Sequence, residues 1–431
     1  MRLRCAATLS WKQLKTKEND MELLKETKNS ISEHTKALAK GLLLALSVGV
    51  AGGVIGSLFH MCIDFVTELR GENTWIVYFL PVAGVCIAAL YAVFKKCGPI
   101  NTDRVFDGAR GNSNVPFPML PVIFISSAIS HLAGASVGRE GAALQLGGSC
   151  GYDLAKAFRL KSTGIRIAVM CGMSAVFTAL FGTPVAASVF ALEVTMVGAM
   201  HYGAFFPCVL SSVVAFGVSG AFGIEPVRFA TVACNMSSPV FIGKVIVLAI
   251  ACALLSIVFE KTISAMEKGA KKLVPNLYLR AFVGGAVVLG LTWSLGTYDY
   301  NGAGMNIIEK ALQGDASYEA FILKLMFTAV SLAAGFKGGE IVPAFFVGST
   351  FGCVAAPLIG MDAATGAAIG FVALFCGVVN CPLASVFLAV EIFGTDSLLM
   401  FCLVCALSYM MSGKGGLYKT QRIMYSKLDI D

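Results

Sequence analysis

Two glutamates, Glu140 and Glu340, each follow a glycine-rich turn and open a long apolar stretch. The first lies in Gly138-Arg-Glu-Gly141 and the second in Gly338-Gly-Glu-Ile341. A helix that begins at such a turn aims its free N-terminal amides, with roughly half a positive charge, at whatever faces it. In apolar surroundings that makes an anion site built mainly of backbone, and glycine lets ligand and turn approach closely. A carboxylate beside such a site either competes with the anion for the amides or carries a proton. Both uses make Glu140 a gate, and they make Glu340 a second protonatable group. For Glu340 a structural alternative stands beside this one: stabilisation of its own helix start, or a salt bridge with Lys337.

The two turns belong to an internal repeat. His131-Leu-Ala-Gly-Ala-Ser-Val-Gly-Arg-Glu140 is echoed 200 positions later by Ser331-Leu-Ala-Ala-Gly-Phe-Lys-Gly-Gly-Glu340. Gly148-Ser149 returns as Gly348-Ser349, and Gly172, Ala175, Phe177 and Pro184 return as Gly370, Ala373, Phe375 and Pro382. The segments that open on those prolines end alike, on Glu193 and Glu391. Ordered landmarks at a nearly constant offset imply two homologous halves in one domain, parallel or inverted. Two Gly-rich helix starts, one per half, then converge on one ion. Glu193 and Glu391 read as structural, polar ends packed between helices.

The elements that position these turns must live in lipid. Hydrophobic residues make up 57% of the 431, and charged residues 14%, against about 25% in average soluble domains. Residues 41–63, 74–94, 167–192, 194–224, 281–298, 341–361 and 363–390 are uncharged stretches near or beyond the ~18 residues that span a bilayer. No β-alternation is visible, so the expected fold is an all-α integral membrane bundle, with small residues letting helices approach closely. The net charge of +7 is no nucleic-acid signal. Its excess sits at the ends, in Arg2, Arg4, Lys12, Lys15, Lys17, Lys25 and Lys28, and in Lys414, Lys419, Arg422 and Lys427. The positive-inside tendency places both termini in the cytoplasm, with residues 1–35 as a solvated or interfacial helical segment and no cleaved signal peptide. The fourteen cysteines are scattered as small buried hydrophobes, Cys381 included, and the four histidines show no metal spacing. His131 reads as a packed, hydrogen-bonded residue. Asn235-Met-Ser237 fits a glycosylation pattern common by chance.

At Gly138-Arg-Glu-Gly141 the chain resembles the CLC family of chloride channels and proton-coupled anion exchangers, over about residues 36–418. Gly338-Gly-Glu-Ile-Val-Pro343 resembles the family's second filter loop, and Tyr418 stands where a filter tyrosine starts the last helix. The resemblance implies a multi-helix bundle of two inverted halves with broken, re-entrant helices, about 36–224 and 240–412, and a final cytoplasm-facing helix from about 416. It implies a homodimer in the plasma (inner) membrane, with an anion pathway in each subunit and membrane lipid around it. Glu140 would be the gating glutamate that swings into the anion site. Gly98, Pro99, Ile100, Asn101, Gly138, Arg139, Gly141, Gly339, Ile341 and Tyr418 would form that site. With the chain ending at Asp431, no regulatory C-terminal domain is expected.

Three departures narrow the branch. The first filter loop, usually Gly-Ser-Gly-Ile-Pro, here corresponds to Gly98-Pro-Ile-Asn-Thr102, with Pro99 in place of the serine; Gly111-Asn-Ser-Asn114 is a competing register. Val194 stands where proton-coupled chloride exchangers carry an inner glutamate, and Glu340 where they carry an apolar residue. Together these resemble the bacterial fluoride-exporting branch, although Ala142 replaces its usual threonine and Asn101 stands alone in a loop usually richer in asparagine. The expected function is a proton-coupled halide antiporter, with fluoride set ahead of chloride. The alternative is a passive chloride channel of the voltage-gated type. An intramembrane enzyme would need a Ser/His or metal constellation beside its carboxylates, so no catalytic activity, cofactor or nucleic-acid partner is expected.

Overall fold

The structure, a computed structural model, describes residues 2–230 and 234–427, with side chains described continuously from residue 38. The side chains of Arg2, Arg4, Lys12, Lys15, Lys17, Lys25 and His34 lie outside the described residues. The first half comprises α1 (Arg2–Glu72), α2 (Leu80–Val93), α3 (Thr102–Arg110), α4 (Met119–Ala133), α5 (Glu140–Ala157), α6 (Ser162–Phe181), α7 (Pro184–Glu193) and α8 (Phe205–Ala221). The second comprises α9 (Pro239–Leu273), α10 (Leu277–Leu295), α11 (Met305–Leu312), α12 (Ala320–Ala334), α13 (Ile341–Ala355), α14 (Ala363–Val379), α15 (Pro382–Phe393) and α16 (Leu398–Met411). Element lengths run in the same order twice, from a 35-residue span at Leu38–Glu72 and at Pro239–Leu273 onward.

Lipid imposes helices because it offers no partner to a free backbone group. Seven of these among the described residues are long and apolar enough to cross a bilayer; the shorter apolar ones, such as Met119–Ala133 and Ala320–Ala334, are not. Both short helices stop at a glycine in the left-handed region, Gly134 at φ +88° and Gly335 at φ +106°. Only glycine takes that turn without strain, which fixes where the chain leaves the helix in each half. The uncharged stretches 167–192 and 363–390 are likewise broken. Gly182 (φ +67°) and Asn380 (φ +56°) end α6 and α14, and Pro184 and Pro382 start α7 and α15.

The tightest packing joins α5 to α6 and α13 to α14. A Cβ on Gly172 would land on the Gly147 carbonyl, and one on Gly370 on the Gly348 carbonyl. Helices meet there backbone to backbone, the usual source of association where lipid removes the hydrophobic drive.

Residues 2–35 are helical, and α1 runs unbroken through them into the first span. One expectation needs correction. The final helix expected from about 416 does not form among the described residues; Gly413–Lys427 carries only the short strand β2 (Arg422–Ile423), parallel to β1 (Met196–Val197). Its amides are committed elsewhere. Leu417 donates to the Val378 carbonyl at 3.0 Å, Thr420 to Asp103 at 3.1 Å and Met424 to the Val197 carbonyl at 3.0 Å. A helix needs those donors for its own i→i−4 bonds.

Candidate functional site

The two Gly-rich turns meet. Gly138 and Gly339 form an antiparallel bridge, each amide donating to the other's carbonyl at 2.7 Å. The opposed chain directions set α5 and α13 start to start, as an inverted repeat requires. Glu140, the first residue of α5, is fully buried at that junction. Its Oε1 accepts from the Arg139 amide at 3.1 Å, and its Oε2 from the Val342 amide, on the first turn of α13, at 3.2 Å. The carboxylate therefore occupies the N-terminal amides that an anion would use. It lies where only glycine leaves room, since a Cβ on Gly339 would sit 2.6 Å from Oε2.

Beside the junction opens a cavity of about 590 Å³, lined by Ile100, Asn101, Thr102, Gln145, Glu340 and Tyr418 among others. A third helix start faces it: Asn101 caps α3, its side-chain oxygen accepting from the Arg104 amide at 3.1 Å. Gly98 and Pro99 do not line the cavity; the Arg104 guanidinium holds the carbonyls of Cys97 and Pro99. In the competing register, Gly111 is the left-handed C-cap at the far end of α3 rather than a residue at a helix start.

Tyr418 is brought to the cavity by α3. Asp103, Phe106 and Arg110 share one face at i, i+3 and i+7. Asp103 Oδ1 accepts from the Thr420 amide and hydroxyl at 3.1 and 3.0 Å, and Arg110 donates to the Thr420 carbonyl. The Phe106 ring stands edge-on to Tyr418, centroids 4.9 Å apart. Lys419 pairs with Glu267 at 2.8 Å, and that hydrogen bond raises the pKa of the lysine.

The other expected residues divide. Ile341 and Gly141 lie in the first turns of α13 and α5, beside the bridge. The Arg139 guanidinium turns away from the junction, to Asp64 at 3.2 Å and His60 at 3.0 Å, so that its amide is what reaches Glu140. Glu340 is half-buried in the cavity wall and makes no ion pair with Lys337, whose ammonium lies over the Tyr91 ring at 4.4 Å. Gln145, Thr102 and Ser127 were not singled out by the sequence, yet all three line the cavity. A polar side chain five residues into the helix that Glu140 opens was the one available signal for Gln145.

Glu193 and Glu391 have a definite task. Glu391 accepts from the amides of Val185 (2.9 Å) and Ala186 (2.8 Å) at the start of α7. Glu193 accepts from Leu383 (3.3 Å) and Ala384 (2.8 Å) at the start of α15. Each half thus caps the other half's Pro-initiated helix. Replacing either glutamate with leucine is expected to cost about 1–2 kcal/mol, seen as a lower thermal midpoint in detergent. An unchanged midpoint in both variants would show that the exchanged caps contribute nothing.

Residues 100–413 match the family profile described as voltage gated chloride channel. The chloride/fluoride channel protein of Pseudomonas syringae pv. tomato is 35% identical over 397 residues, 90% of this chain and 88% of that protein. The H(+)/Cl(-) exchange transporter ClcA of Vibrio vulnificus is 23% identical over 413 residues, 89% of this chain and 88% of that one. Among solved structures, a CLC-type fluoride/proton antiporter superposes with a TM-score of 0.86 at 29% identity, covering 90% of this chain and 98% of that chain. A slow cyanobacterial Cl-/H+ antiporter shares the fold, with a TM-score of 0.74 at 19% identity over 86% of this chain and 94% of that one.

Proposed function

This chain belongs to the voltage-gated chloride channel family, the CLC family, a multi-pass membrane family, and from that premise we propose that it is a proton-coupled halide antiporter with fluoride set ahead of chloride. One observation carries the reading: the Glu140 carboxylate sits on the Arg139 and Val342 amides where α5 and α13 meet. A halide and this carboxylate need the same donors. A proton on Glu140 removes its charge and weakens its hold on the amides, so proton uptake and anion entry become alternate states of one site. Glu340, in the cavity wall, serves as the second protonatable group, and the Tyr418 hydroxyl donates to the anion beside Asn101. Fluoride is favoured by Pro99 in the serine position, by Glu340, and by the names of two relatives, the chloride/fluoride channel protein and the fluoride/proton antiporter. No reaction is catalysed in this reading. The protein would be a homodimer in the plasma (inner) membrane with both termini cytoplasmic, which turns the cavity toward the cytoplasm.

A passive chloride channel remains the second reading, favoured by the buried Val194, which offers no proton group at that position. Purified protein in liposomes loaded with KF or KCl separates the two. Fluoride efflux that drives protons uphill is expected. Rapid chloride efflux without proton movement would make the protein a channel and leave Glu340 a structural residue.

A further inference from the structure

Gln145 stands on α5, five residues beyond Glu140, and its carboxamide is fixed from one end only. Nε2 donates to the Gly141 carbonyl at 2.9 Å and to Thr102 Oγ1 at 3.1 Å. The group cannot be turned over, because its oxygen would then face the Gly141 carbonyl, acceptor against acceptor. Oε1 is therefore the free end, and it is buried without a hydrogen-bond partner. A buried acceptor left unmatched is costly, so its presence in a cavity wall marks a place where something donates. The neighbouring groups have the opposite character. Thr102 Oγ1 already accepts from Gln145, which leaves its own hydrogen free to donate. The Ser127 hydroxyl on α4, which also lines the cavity, is likewise buried and without a hydrogen-bond partner.

A halide ion accepts hydrogen bonds and cannot give one. Hydroxyls suit it, and a carbonyl oxygen repels it. The free oxygen of Gln145 suits instead a group that carries a proton on oxygen. We propose that Gln145 is the proton-side station of the cavity: its carbonyl oxygen accepts from the O–H donor that crosses there, a protonated carboxyl or a water of a proton wire, while Thr102 and Ser127 present hydrogens to the anion. The inference rests on the antiport reading. Gln145 takes no proton itself; the proton stays on the donor oxygen, and the carboxamide orients it. Thr102 has a double part, pinning that carboxamide and facing the anion.

The test is the number of protons moved per anion in liposomes. A Gln145→Met variant keeps the bulk and loses both amide functions, and the ratio is expected to fall about fivefold, the worth of one neutral hydrogen bond. Gln145→His returns a ring nitrogen as acceptor and should recover most of it. A merely structural defect lowers proton and anion fluxes together and leaves the ratio alone. Should Gln145→Met fail to give a monodisperse protein, Thr102→Val, which unpins the carboxamide, should lower the ratio and Thr102→Ser restore it. A coupled wild type with the same ratio in these variants overturns this inference and spares the antiport reading. A wild type that moves no protons overturns both.

Discussion

Glu140→Gln is expected to reduce proton movement to the leak of empty liposomes and to abolish coupled fluoride efflux. The reason lies in which atoms meet. In the wild type both carboxylate oxygens accept from backbone amides, Arg139 on one and Val342 on the other. A glutamine offers one oxygen and one NH₂ group, so one of those amides faces another donor. More important, the carboxamide has no proton to release and no charge to gain. The exchange between a charged gate on the amides and a neutral gate off them is then lost, and with it the alternation that couples the two fluxes. Glu140→Ala separates the plug from the proton carrier: the amides stand open to a halide, and anion leak without protons should result. Simultaneous recording of anion efflux and proton uptake checks both variants. Undiminished uphill proton movement in Glu140→Gln would remove Glu140 from the mechanism.

The second large effect concerns stability. Gly172→Leu and Gly370→Leu should each abolish the monodisperse protein or lower its thermal midpoint severely. A Cβ at these positions meets the backbone carbonyl of Gly147 or Gly348 rather than the yielding end of a side chain. Ordinary overpacking costs about 1–3 kcal/mol, and backbone against backbone belongs at or above the top of that range, because neither helix can rotate away. Separating α5 from α6, or α13 from α14, also shifts the helix that carries Glu140 or the one that follows Glu340. Gly217→Leu is the control: nothing lies within 4 Å of its Cβ direction, and it faces outward on α8. Fluorescence-detected size exclusion after heating would compare the three, and equal midpoints would show that the close contacts are dispensable.

Much of the site was written in the sequence because it is made of punctuation. The helix ends at Gly134 and Gly335 emerged only with the structure, but Pro184 and Pro382 act on the chain locally, so their positions alone mark where helices start, and their repetition marks the two halves. The same holds for Glu140: a charge directly behind a Gly-rich turn in an apolar chain is too costly to persist without a task. The partners of the polar groups were decided only by the tertiary structure. Glu193 reaches α15 and Glu391 reaches α7, the Arg139 guanidinium leaves the junction for Asp64, and Gln145 finds Thr102 on another helix. The segment bearing Tyr418 forgoes a helix because Asp103, Val378 and Val197 take its amides. In a soluble protein the alternation of polar and apolar residues shows which face turns inward. Within a membrane both the lipid and the protein interior are apolar, so that contrast is faint, and which polar groups meet is decided by helices far apart in the chain.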